Sequence, residues 1–97
     1  MFSARLINHN NTRMLNICDY NLLGKTLSRD DFSIKINESY YGERTIKKEE
    51  AKILLSESDN INMVGKEIIS LSVGLGIGSQ KGVKEIGGIP FLIVFKM

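Results

Sequence analysis

The chain is poor in the residues that carry most small-molecule chemistry: one cysteine (Cys18), one histidine (His9), one proline (Pro90) and no tryptophan among 97 residues. A lone thiol forms no internal disulfide, and without a Cys-x-x-Cys pair or a His cluster it builds no structural zinc site. Such a thiol suits a reducing compartment, so the cytoplasm is the expected location. Long hydrophobic runs are also missing. The longest, Ile89 to Phe95, contains Pro90 and is far shorter than the roughly 20 residues of a membrane span. The start, MFSARLINHNN, lacks the apolar stretch of a secretion signal. Neither membrane association nor a bound cofactor or metal is expected.

An excess of one charge is lacking as well. The net charge is +2, with 13 Lys and Arg against 11 Asp and Glu, and neither half of the chain is a basic arm. Duplex binding through bulk charge is therefore not indicated, although Arg44, Lys47, Lys48 and Lys52 form a local basic cluster. The 42% apolar and 25% charged content is that of an ordinary globule. At this length one domain, residues 1–97, with one modest core is expected.

Phe2 to Ile7 and Arg13 to Cys18 are apolar-rich segments joined by Asn8-His9-Asn10-Asn11-Thr12, the composition of a β-hairpin with His9 at its tip. Asp19 to Asp31 predicts a single turn stopped by Gly24. Phe32 to Asn37 alternates as a half-buried strand with Phe32, Ile34 and Ile36 inward, closed by Tyr40-Tyr41-Gly42. Thr45 is placed to cap a helix through Leu55 whose inward stripe is Ala51, Leu54 and Leu55, with Ile46 at its entry. Ser58-Asp59-Asn60 interrupts it. Ile61, Val64, Ile68, Leu71 and Leu75 then predict a second helix over 61–75. Phe91 to Phe95 is apolar throughout, which predicts a strand covered on both faces, central in its sheet or in a subunit contact. The sum is an α+β fold, a mostly antiparallel sheet with a two-helix hairpin packed on one face.

The segment Gly74 to Gly88 reads GLGIGSQKGVKEIGG. A phosphate loop runs from strand to glycine turn to helix. Here the glycines follow a helix and precede a strand, and no Walker spacing is present, so Gly74 and Gly76 end a helix. Gly87-Gly88 before Pro90 marks a tight turn or a close backbone approach. No catalytic set stands out: Asp30-Asp31 and Glu49-Glu50 are adjacent carboxylates that point apart, and Cys18 has no charged pair. A helix-turn-helix over 45–75 is disfavoured because its second helix is mostly apolar.

Four blocks in this order, DYNLLGKTL (Asp19 to Leu27), ESYYGE (Glu38 to Glu43), NMVGKE (Asn62 to Glu67) and IGGIP (Ile86 to Pro90), resemble an archaeal family known only as domain of unknown function 424. The resemblance covers nearly the whole chain and implies a small cytoplasmic protein with no established activity, cofactor or partner. The family pattern continues past its Gly-Gly-x-Pro turn with a histidine, where this chain has Phe91-Leu92-Ile93. Any chemistry of that histidine is missing here.

Glycine beside lysine offers an anion both backbone amides and a charge. Gly24, Lys25, Tyr41, Gly42, Gly65, Lys66, Gly87, Gly88 and Pro90 are therefore the candidate binding residues. The expected function is a non-catalytic binding module for RNA or a ribonucleoprotein partner. The alternatives are a homodimeric structural or assembly protein and a small enzyme acting on an anionic substrate.

Overall fold

In the computed structural model, which describes residues 1–96 apart from the side chain of Arg29, the N-terminal alternation forms a long hairpin. Its strands β1 (Phe2–His9) and β2 (Thr12–Asp19) pair antiparallel along their whole length. Asn10 and Asn11 take φ of 49° and 64° in the turn, the left-handed pair that matches strand twist and that asparagine tolerates. The chain continues through β3 (Thr26–Arg29), β4 (Phe32–Lys35), the single-turn helix α1 (Glu38–Tyr41), β5 (Arg44–Ile46) and α2 (Lys48–Glu57). It ends with β6 (Asn60–Val64), α3 (Lys66–Gly74), β7 (Lys84–Ile86) and β8 (Ile89–Phe95).

Six strands form one sheet in the order β5-β1-β2-β6-β8-β7, antiparallel throughout except for the parallel pair β2–β6. β3 and β4 form a separate two-stranded ribbon. Because strand residues alternate between faces, the sheet carries two cores. Phe2, Ala4, Leu15, Ile17, Ile61, Met63 and Leu92 face the helices and pack on Ala51, Leu54 and Leu55 of α2 and Ile68 and Ile69 of α3. On the opposite face, Cys18 and Val64 pack with Leu22, Leu27 and Ile36 under the ribbon. Lys96 ties the sheet to the helical layer. Its Nζ donates to the carbonyls of Leu55 (2.6 Å) and Ser56 (3.0 Å), where a cation complements the end of α2.

The mostly antiparallel sheet matches expectation; the two-helix hairpin does not. Residues 61–64 lie in β6, so α2 and α3 are separated by a strand. Ile61, Val64 and Ile68 fit helical spacing, but Ile61 and Met63 also alternate. Pairing with β2 on one side and β8 on the other gives that segment a complete ladder. Gly65, at φ 119°, then breaks the chain between strand and helix. Thr45 lies in β5, and the residue before α2 is Lys47, which makes no side-chain cap. Tyr40 and Tyr41 belong to α1, whose first turn is capped by Asn37 Oδ1 accepting from the Ser39 amide at 2.9 Å. The strand expected over 32–37 is the second half of the ribbon, so Phe32 is exposed and only Ile36 of the three proposed inward residues is fully buried. β8 lies next to the edge and is not covered on both faces: Leu92 is buried, but Ile93 and Phe95 are exposed.

Cys18 is wholly buried in the second core, and burial, with the charge of Asp19 adding, pushes its thiol up to about 12. It is expected to stay unlabelled by a thiol reagent at about pH 8 while the protein is folded and to react as the chain unfolds. Rapid labelling of the native protein would show that the ribbon does not close this core.

Candidate functional site

The NMVGKE block sits where β6 hands over to α3. Gly65 precedes α3 and has no side chain to offer its first turn. The acceptor comes instead from the end of the parallel neighbour β2, where the carboxylate of Asp19 reaches across Gly65. Asp19 Oδ2 accepts from the Glu67 amide at 3.0 Å and Oδ1 from the Ile68 amide at 2.8 Å. A Cβ on residue 65 would collide with that carboxyl group, and the φ of 119° is itself a glycine conformation. The helix N-terminus that could draw a phosphate is thus filled by the protein's own carboxylate. Burial raises the Asp19 carboxyl above its ordinary value, and the two amide hydrogen bonds offset part of the rise.

The other blocks meet around the same second core. The Gly24 amide donates to the Ile36 carbonyl (2.7 Å), the Lys25 amide to the Leu22 carbonyl (3.1 Å) and the Gly42 amide to the Glu38 carbonyl (2.7 Å). The Gly65 amide donates to the Pro90 carbonyl at 2.9 Å. Tyr41 packs against this core, its carbonyl accepts from Ser3 Oγ at 2.7 Å, and burial raises its phenol. Gly87 and Gly88, at φ of 59° and 80°, form the turn of the β7–β8 hairpin, and Gly87 rests on the backbone of Ser28 in the ribbon. At Gly24, Lys25, Gly42 and Gly65 the backbone amides are engaged internally. Lys25 and Gly87 lie with the ribbon, whereas Lys66 lies with the helices on the other face. His9 ends β1 beside the turn and is exposed.

α2 and α3 leave between them a groove of about 860 Å³ with Phe2, Leu71 and Leu75 in its lining and Lys48, Lys52 and Lys66 along it. Glu67 is the carboxylate among its lining residues. Lys52 pairs with Glu49 at 3.5 Å; among the described residues Lys48 and Lys66 have no ion pair. Lys66 also borders an adjoining hollow of about 430 Å³ beside Pro90. Arg44, from the basic cluster of the sequence, is paired with Glu50 at 3.3 Å. Such a surface suits binding of an anion that has an apolar part. Among the described residues no three His, Cys, Asp or Glu side chains gather to hold a metal ion, and no helix is long and apolar enough to cross a membrane.

A family model described as "Protein of unknown function (DUF424)" matches residues 7–97. The chain belongs to the DUF424 family. The crystal structure of an uncharacterized conserved protein from Methanopyrus kandleri is similar in fold, with a TM-score of 0.80 at 22% identity over 99% of this chain and 93% of that one. None of the curated proteins searched matches.

In this DUF424 chain the sequence blocks trace the second core and the Asp19 clamp. The clamp was missed because it joins residues about 48 apart, and no local pattern announces a cap supplied by another strand. The groove is only partly legible in the sequence: Lys66 stands out beside its glycine, but Lys48 and Lys52 meet it only because residues 61–64 form a strand. Asp19→Ala is expected to lower stability by about 2–3 kcal/mol, since it uncaps the helix and strands two amides. Asp19→Asn, which keeps one acceptor, should lose less. Gly65→Ala should lose about 3 kcal/mol or more through the collision and the backbone strain. Urea unfolding measures all three; wild-type stability in Asp19→Ala would remove the clamp from the account.

Proposed function

We propose that this protein is a non-catalytic binding module for RNA or a ribonucleoprotein partner, and that the contact surface is the groove between α2 and α3. The observation that carries this reading is the row of Lys48, Lys52 and Lys66 over a partly apolar lining. Phosphates of a single strand engage the ammonium groups and a base lies against the aliphatic surface of Leu71 and Leu75. Of the candidate residues in the sequence, Lys66 belongs to this surface. Lys25 and the Gly87–Gly88 turn, across the sheet, serve as controls. A homodimeric assembly role is the second reading, supported by the exposed Ile93 and Phe95 of β8.

Fluorescence anisotropy with a labelled single-stranded oligoribonucleotide tests the first reading. Binding is expected at low salt and should weaken as salt rises. The Lys48→Ala, Lys52→Ala, Lys66→Ala triple variant should bind at least about tenfold more weakly, with a log–log salt slope shallower by about 2. Lys25→Ala should bind as the wild type does. Absence of binding at low salt, or equal loss in Lys25→Ala and the triple variant, contradicts the proposal.

A further inference from the structure

The outer side of β8 is only half paired. β7 covers it from Ile89 to Phe91 and stops. The parity of the ladder on the inner side shows what lies beyond. The Gly65 amide donates to the Pro90 carbonyl at 2.9 Å and the Lys96 amide to the Asp59 carbonyl at 2.8 Å. Hydrogen-bonded pairs alternate along an antiparallel ladder, so Leu92 and Val94 turn their backbone groups toward β6, and Ile93 and Phe95 turn theirs outward. Among the described residues neither Ile93 nor Phe95 has a backbone partner on that side.

The side chains at the same two positions are also uncovered. Ile93 is 59% and Phe95 70% exposed, on the face where the ribbon shelters Ile89 and Phe91 but not these residues. The terminal strands of the sheet carry the charges that normally discourage strand addition, Arg44 on β5 and Lys84 and Glu85 on β7. The free part of β8 carries none. The nearest charged residue, Lys96, has its ammonium bound to the carbonyls of Leu55 and Ser56.

We infer that this half-edge pairs with its own copy, β8 against β8, antiparallel about a two-fold axis at Val94. This gives the assembly reading above its geometry and rests on it. The register is self-complementary. Ile93 of one copy stands opposite Phe95 of the other, each has its amide and carbonyl pointing outward, and the two symmetric pairs form about four inter-strand hydrogen bonds. Opposite residues of an antiparallel pair share a face, so the exposed isoleucine and phenylalanine of each copy pack on their counterparts. The pairing of β7 ends before residue 92, and the segment ahead of it packs Gly78 and Gly82 against the side chains of Leu92 and Val94, which turn to the helix-facing side of the sheet and away from Ile93 and Phe95.

Light scattering and hydrogen exchange on the intact chain, from low micromolar to millimolar concentration, test the inference. The mass should double with concentration, and the amides of Ile93 and Phe95 should exchange at least about tenfold more slowly in the dimer. Ile93→Lys and Phe95→Lys should stay monomeric with unchanged circular dichroism, while Glu85→Gln on β7 dimerises as the wild type does. Should a lysine variant not fold, the wild-type exchange of the two amides decides alone. A dimer that survives both lysine variants, or whose Ile93 and Phe95 amides stay unprotected, overturns the strand pairing but not the assembly reading. A monomer at every concentration overturns both.

Discussion

The contact on which the rest of the structure depends is the Asp19 carboxylate laid across Gly65 onto the amides of Glu67 and Ile68. It joins the end of β2, the end of β6 and the start of α3 at one point. That point is also where the two cores meet, since Cys18 and Val64 face the ribbon while Ile17, Met63 and Ile68 face the helices. A parallel strand pair needs a long crossover, and here it contains the ribbon, α1, β5 and α2. The clamp fixes the start of that excursion, at Asp19, against the far end of β6, where α3 begins.

The glycine-rich and glycine–lysine segments likewise serve contacts within the fold. The anion at the helix N-terminus is internal, and the amides of Gly24, Gly42 and Gly65 are donors to the protein's own carbonyls. Gly74 ends α3 and Gly87-Gly88 turn β7 into β8. What the glycines provide is close approach: Gly65 to the Asp19 carboxyl group and Gly87 to the Ser28 backbone. The four sequence blocks therefore surround a small core closed by a two-stranded ribbon. The open lysine surface is formed elsewhere, by the helices on the opposite face.

Much of this was legible in the sequence, and the failures share a cause. The first hairpin could be read because turn chemistry and alternation are local. The inward residues of α2, with Ile46 before them, followed from helical spacing. Residues 61–64 suit a helix by their spacing of three and then four as well as they suit a short strand by alternation, and two neighbouring strands settle the choice. The β3–β4 ribbon was only half seen, since its first strand is short and polar and its turn, Asp30-Asp31, lacks the glycine or asparagine that marks such turns. The alternation at Phe32, Ile34 and Ile36 was real, but a ribbon outside the main sheet buries its base and leaves its tip exposed. Of the candidate site, the blocks and Lys66 were visible; the partners of Lys66 and the role of Asp19 depend on long-range pairing.

The most direct measurement is an NMR pH titration of the Asp19 side-chain carboxyl carbon together with the amides of Glu67 and Ile68. Because burial raises its folded-state value, Asp19 should titrate above the ordinary aspartate midpoint of about 3.9, and both amides should shift through that same midpoint. The sign for stability follows: the folded protein takes up this proton at higher pH than the unfolded chain, so this group favours folding increasingly as pH falls from above the raised value toward the ordinary one. Glu67 and Ile68 amides that stay unmoved as the Asp19 carboxyl titrates would contradict the clamp.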